Sequence, residues 1–279
     1  MGLRVNTNIQ SMTAQRHLGV NNGQQKASLE KLASGTRINR AADDAAGLAI
    51  AEKMRADIRS INQDIRNAND GISMIQTAEG AMNEVGNILV RFRELSVQAA
   101  SDTIGDRERG FIEKEVSQLR QEIDRIGAST EYNGRKLMST EGAGEALDIQ
   151  IGLTNNAKFD RFQFDTGKIG MSAERLGIGD ISVASKGQAQ ENLQKVDDAL
   201  KLLSENRAEM GALQNRLQSS ISNMQLYNEN LAGARSRIYD VDMASETAEL
   251  TKNNILSTAG TAVLSQANQN SMLALKLIG

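Results

Sequence analysis

From Met54 and Ile58 through Ile61, Ile65, Ala68 and so on to Leu89, Phe92, Leu95 and Ala99, apolar residues recur at alternating steps of three and four. A mean step of about 3.5 describes a helix with one narrow apolar seam, the pattern that packs along a partner helix. No proline interrupts it, and none occurs anywhere in the 279 residues, where ordinary usage of roughly 5 % would place over a dozen. At about 1.5 Å per residue the segment would form a rod of about 69 Å. A chain built around such an element needs other long helices to cover the seam.

Those helices are legible. Ile112, Val116, Leu119, Ile123 and Ile126 share one helical face after the turn SDTIGDRERG, and Gly127 is expected to end that helix. From about Gln188 a second long seam runs through Leu193, Val196, Leu200, Leu203, Met210, Leu213, Leu217, Ile221, Met224 and Leu231. Between the seams the period changes to two. Leu147, Ile149, Ile151 and Leu153 alternate with polar residues, Asn155-Asn156-Ala157 supplies a turn, and Phe162 and Phe164 alternate again, predicting a β-hairpin at about 146–165. A second short strand is expected at Ile181–Val183. The run SGTRINRAADDAA, residues 34–46, reads as an irregular connection, with Asp43 or Asp44 as the cap of the long helix.

The two ends are different. Residues 5–32 space Val5, Ile9, Met12, Leu18, Leu29 and Leu32 irregularly among Asn and Gln. The last helix, from about Met243, carries Ala248, Ile255, Ala259, Ala262, Val263, Ala267 and Ala274 as its apolar stripe. Both ends are nearly uncharged and weakly patterned. They are expected to be disordered in the monomer and to fold together on assembly. The fold class that follows is mainly α: a long antiparallel helical bundle or coiled coil with a small β-hairpin region in the middle of the chain and the N- and C-terminal helices paired. Residues 1–45 and 235–279 would form an inner domain of terminal helices, and 46–234 an outer helical domain that includes the hairpin.

Composition removes most chemistry. With one histidine, His17, and no cysteine, a zinc or iron site is not expected, and His17 reads as an interfacial polar residue. Adjacent Asp43 and Asp44 read as capping and solvated charge rather than an acid/base pair. The glycines around 142–144 and 177–179 lack the further residues of a phosphate loop or a dinucleotide fingerprint. A net charge of −3 and 3 % aromatic residues give neither the basic surface nor the stacking platform that nucleic acid requires. The expected catalytic, cofactor and metal residues are therefore none. No cleavable secretory signal opens the chain, and the uncharged stretch 253–275 is too rich in Asn, Gln, Ser and Thr to cross a membrane.

Three blocks, LASGTRINRAADDAAGLAIAEKMRADI (32–58), RNANDGISMIQTAEGAMNEV (66–85) and ENLAGARSRIYDVDMASETAEL (229–250) with the tail to Gly279, closely resemble bacterial flagellin. The resemblance covers nearly all of 1–140 and 188–279. The intervening segment is short, so the outer variable domains of larger flagellins are missing. The resemblance implies a structural, non-enzymatic subunit, exported unfolded through the flagellar type III channel to the cell exterior. There it would polymerise beneath a cap protein into a hollow helical filament for motility. It also implies an export chaperone covering the C-terminal helix, with Ile255, Val263, Leu264 and Leu273 as apolar anchors, and an N-terminal core helix presenting Val5, Ile9 and Met12. In stimulatory flagellins the outer helices are read by Toll-like receptor 5; the matching segments here place Arg91, Leu95 and Glu115 at the motif positions. The hook–filament junction protein shares the terminal architecture and is the alternative reading. A chemoreceptor-like coiled coil would want a membrane anchor and a helical tip in place of the β centre.

Overall fold

The computed structural model describes residues 7–138 and 146–276. In chain order these form α1 (Ile9–Ser34), α2 (Ala45–Ala99), α3 (Asp106–Ser129), the two-residue strands β1 (Glu131–Tyr132) and β2 (Arg135–Lys136), then β3 (Ala146–Gln150), β4 (Arg161–Asp165), α4 (Lys186–Tyr239) and α5 (Met243–Lys276). The mainly α class with a β centre is as expected. Two compact units result: Arg59–Asn228, and the described residues of the two ends, Met1–Ile58 with Glu229–Gly279.

In the first unit the seams do what their period requires. From Ile61 onward the α2 positions Ala68, Ile75, Ala78, Met82, Val85, Leu89, Phe92, Leu95 and Ala99 are buried. They share one core with Ile112, Val116 and Ile123 of α3 and with Val196, Leu203, Met210, Leu217 and Ile221 of α4. The contacts between α2 and α4 step in opposite directions. Arg93 pairs with Asp197 at 2.8 Å, Glu79 with Arg207 at 3.8 Å, and Asn228 bonds Asn62 at 3.2 Å. The two helices are thus antiparallel, and about ten core side chains of α2 are removed from water along their line of contact.

The hairpin caps this core. β3 and β4 are antiparallel with Leu147 opposite Phe164 and Ile149 opposite Phe162, so one face is apolar. Ile149 rests on α2 at Gly71, where a Cβ would come within 2.7 Å of its Cδ1. Glycine in mid-helix here is a packing requirement rather than a break. The strands are shorter than the alternation predicts: β3 stops at Gln150, and Leu153 is exposed in the connecting loop. The Asp160 carboxylate accepts the Asn156 N–H at 3.0 Å and the Thr154 hydroxyl, which turns residues 154–160 into a closed loop. These bonds hold the Asp160 carboxyl below its usual range.

Two other expectations change. Residues 181–183 join no ladder, although Ile181 and Val183 are buried. Their polar groups are taken by side chains instead: Glu113 Oε2 accepts the Val183 N–H at 2.5 Å and the Ser182 hydroxyl at 3.1 Å, and Asn192 donates to the Ser182 carbonyl. Helix α3 runs past Gly127 to Ser129, because Gly127 is a buried packing position and the Thr130 N–H still reaches the Ile126 carbonyl. The sequence Tyr132-Asn133-Gly134-Arg135, unread in the sequence, closes the β1–β2 hairpin. Asn133 and Gly134 both take positive φ, 49° and 76°, as a primed two-residue turn demands.

In the second unit, Gly35 ends α1 in the left-handed region (φ 71°). The connection that follows is tied to the α4–α5 connection: the Arg37 N–H donates to the Tyr239 carbonyl and the Val241 N–H to the Gly35 carbonyl. The adjacent aspartates serve the backbone. Asp44 Oδ1 accepts the Gly47 N–H at 2.8 Å, capping α2, and Asp43 Oδ2 accepts the Asn39 and Arg40 N–H groups, which lower its pKa.

Candidate functional site

Helices α1 and α5 pair antiparallel, and small and polar residues outnumber large apolar ones between them. On α1 the residues turned toward α5 are Ser11, Ala14, Leu18, Asn21, Gln25, Ser28 and Leu32; on α5 they are Glu246, Leu250, Asn253, Ser257, Gly260, Leu264 and Ala267. Both series step alternately by three and four, the period of a two-helix seam, yet most of their members are small or polar. Hydrogen bonds cross this seam along its length. Asn8 Nδ2 donates to the Ala267 carbonyl at 2.9 Å, Ser11 Oγ to Asn268 Oδ1 at 2.9 Å, Asn21 Nδ2 to the Asn253 carbonyl at 2.8 Å, and Gln25 to Asn254. At Gly260 the missing Cβ admits the tip of Leu18, which a Cβ would meet at 2.8 Å. Lys31 and Glu246 pair at 3.9 Å near the far end.

This seam supplies register more than cohesion. Asn253 is 1 % exposed, and among the described residues both atoms of its amide and the Oδ1 of Asn21 lack a hydrogen-bond partner. Each unsatisfied buried group costs on the order of 1–3 kcal/mol. Leu18, Leu32, Leu250 and Leu264 are half-buried in the seam. Other apolar residues lie on the outside: Ile9 (59 % exposed), Met12 (63 %), Ile255 (64 %) and Val263 (59 %), with Val20, Leu29 and Leu256 also exposed. Of the stripe expected on α5, Ala267 is buried, whereas Ile255, Ala259, Ala262 and Val263 are exposed. A shallow apolar groove runs between the helices, lined by Leu18, Val20, Leu256, Ala259 and Val263 beside the exposed His17.

Leu264 is half-buried in the seam. Val5 lies outside the described residues, and Leu273 lies in α5 beyond the side chains described.

The three positions suggested for receptor recognition divide. Arg91 of α2 and Glu115 of α3 come together on the surface: Nε and Nη2 donate to Glu115 Oε1 at 2.9 and 2.8 Å, while Nη1 reaches Glu94 at 3.0 Å. The Glu115 and Glu94 bonds raise the guanidinium pKa. Leu95 is 1 % exposed, part of the α2–α3–α4 core. Among the described residues no group of three or more His, Cys, Asp or Glu could hold a metal ion, and no helix is long and apolar enough to cross a membrane.

Comparison with known proteins bears on the same segments. The family model for the bacterial flagellin N-terminal helical region matches residues 5–143, and that for the C-terminal helical region matches residues 193–278. A flagellin from Halalkalibacterium halodurans is 43 % identical over 274 residues, covering 98 % of this chain and 99 % of its own. The flagellar filament 30.7 kDa core protein of Treponema maltophilum is 41 % identical over 287 residues, with 98 % and 99 % covered. Among solved structures, Bacillus cereus flagellin matches with a TM-score of 0.50 at 28 % identity, covering 57 % of this chain and 88 % of that one. A putative flagellar hook-associated protein from Vibrio parahaemolyticus matches with a TM-score of 0.58 over 71 % of this chain and 100 % of that one. At 13 % identity the likeness is one of fold alone.

Proposed function

This chain belongs to the bacterial flagellin family and is a structural subunit of the flagellar filament, and from that premise we propose that its paired terminal helices carry the contacts between subunits. The observation behind this reading is the pairing of α1 and α5, with amides and small residues in the seam and Ile9, Met12, Ile255 and Val263 exposed. A helix pair that leaves Ile9, Met12, Ile255 and Val263 in water recovers hydrophobic free energy only by packing against further copies, at roughly 25 cal/mol per Å² of apolar surface covered. The long uncharged stretch of α5 between Lys252 and Lys276 suits crowding around a common axis, where like charges would repel.

Before assembly the same apolar face is a liability. On this reading an export chaperone covers Ile255, Val263, Leu264 and Leu273, the subunit leaves the cell unfolded through the type III channel, and it refolds beneath the cap next to the junction proteins. No catalytic role is assigned. On the helical unit 59–228, Arg91 and Glu115 offer a charged pair to Toll-like receptor 5, with Leu95 acting through the packing of α2. The junction-protein alternative has only fold likeness behind it, against over 40 % identity across the whole chain to filament proteins.

The test is Ile255→Asp combined with Val263→Asp. Seeded polymerisation, followed by sedimentation and electron microscopy, is expected to be lost while the circular dichroism melt of the helical unit is unchanged; filaments growing at the parent rate would end the proposal. Hydrogen exchange tests the coupled ordering separately. Weak protection of 9–34 and 243–276 in dilute monomer and strong protection in filaments are expected, and strong protection in the monomer contradicts it.

A further inference from the structure

We propose that Asn133 is a site of spontaneous covalent modification: its side-chain amide is lost by cyclisation onto the Gly134 nitrogen, converting the β1–β2 turn into one with aspartate or isoaspartate at its first position. Asn133 and Gly134 are the two exposed residues of the turn, at φ 49° and 76°. The ladder of this hairpin runs through Tyr132 opposite Arg135 and Glu131 opposite Lys136, so the Gly134 N–H lies outside it. Glycine also presents no Cβ to hinder attack.

In the step itself the Gly134 nitrogen bonds to Asn133 Cγ and gives up its proton, the Cγ–Nδ2 bond breaks, and ammonia leaves. The resulting five-membered imide is then opened by water. Opening at Cγ leaves aspartate; opening at the main-chain carbonyl leaves isoaspartate, whose backbone runs through Cβ and Cγ and is one carbon longer. Ring closure requires the turn to swing away from its hairpin geometry. The strands behind the turn are anchored by the two rungs, by the Leu137 N–H donating to the Thr130 carbonyl at 3.1 Å, by Lys136 on the Ala128 carbonyl and on Glu131, and by the buried Leu137 and Met138, so what has to open is the exposed two-residue tip and not the hairpin. The lengthened backbone of isoaspartate cannot close a two-residue primed turn, so the product loses the β1–β2 register.

The chain contains an internal contrast. Asn22-Gly23 is the same dipeptide, but Gly23 lies inside α1, where its N–H belongs to the helical ladder. The experiment follows the tryptic peptides Ile126–Arg135 and His17–Lys26 by mass spectrometry, with isoaspartate distinguished by fragmentation. Full-length protein is incubated at mildly alkaline pH as filaments, and in parallel unfolded in guanidinium. The proposal expects Asn133 in folded protein to convert within about tenfold of its unfolded rate, since only the exposed tip of the turn has to move. It expects Asn22 in filaments to be protected far more strongly. Protection of Asn133 by more than about a hundredfold, or as strong as that of Asn22, would overturn it. An Asn133→Gln chain should lose the modification, and its retention at that peptide would also count against the assignment.

Discussion

Leu95 and Arg91 lie one helical turn apart on α2 but belong to different parts of the protein's energetics, and substituting each with alanine separates them. Leu95 is 1 % exposed within a core that also holds Phe92, Ile112 and Val116. Leu→Ala changes at fully buried sites cost about 2–5 kcal/mol, and a site walled by three helices relaxes poorly, so about 3–4 kcal/mol is expected. For a cooperative unit of this size, 1 kcal/mol moves the melting midpoint by about 2–4 °C, which gives a fall of about 6–16 °C. Arg91→Ala removes hydrogen bonds to Glu115 and Glu94, but all three side chains are roughly half exposed, and solvent-screened pairs contribute little to folding. Its midpoint should match the parent. Far-ultraviolet circular dichroism melts of the monomer measure both. A Leu95→Ala midpoint within about 2 °C of the parent would refute the packing described. With stability accounted for, a Toll-like receptor 5 reporter assay below the lower melt becomes interpretable. Arg91→Ala should lower potency at unchanged stability, and equal potency would remove Arg91 from recognition.

Two glycines of α2 offer a matched pair. Gly80→Ala meets nothing within 4 Å and should stabilise the unit by about 0.8–1.0 kcal/mol through helix propensity. Gly71→Ala carries the same gain but must displace the Ile149 tip, an overpacking cost of about 1–3 kcal/mol. Urea midpoints should therefore rise for the first and stay level or fall for the second; equal gains would lift the hairpin off α2. Asp64 is a buried carboxylate, 6 % exposed, whose pKa is raised by desolvation and then by the charge of Asp160. Between the unfolded and the raised folded pKa the native state binds more protons than the unfolded one, so this group's contribution falls as pH rises through that window. Asp64→Asn should flatten that slope and stabilise the protein at neutral pH, whereas urea midpoints running parallel to the parent across pH would contradict the assignment. Asp43 and Asp160, whose pKa values are lowered, act with the opposite sign and only at lower pH.

What the sequence made legible, and what it did not, follows from where each element finds its free energy. The α2 and α4 seams are hydrophobic and periodic because packing them into one core is what holds the unit together. The β3–β4 face announced itself through Phe162 and Phe164 for the same reason. Elements sustained by hydrogen bonds were harder to see. The backbone at 181–183 satisfies its donors through Glu113 and Asn192, so its apolar alternation does not lead to a ladder. The β1–β2 hairpin is turned by one Asn-Gly step and anchored by bonds from Leu137 to Thr130 and from Lys136 to Ala128. The terminal helices are the instructive case. Their contact face carries the same three-four period as α2, but with Ser, Asn, Gln and Gly interleaved among four leucines, so the most continuous apolar stripe in the sequence runs through Ile255 and Val263, which are exposed. A helix pair meant to be complete within one subunit would place its apolar residues in the seam and leave the amides in water. Here the amides set the register of α1 against α5, and the apolar residues remain for whatever surrounds the pair. The residues that look hydrophobic in sequence are thus ones the chain itself leaves exposed, and on the proposed reading they are what further copies cover.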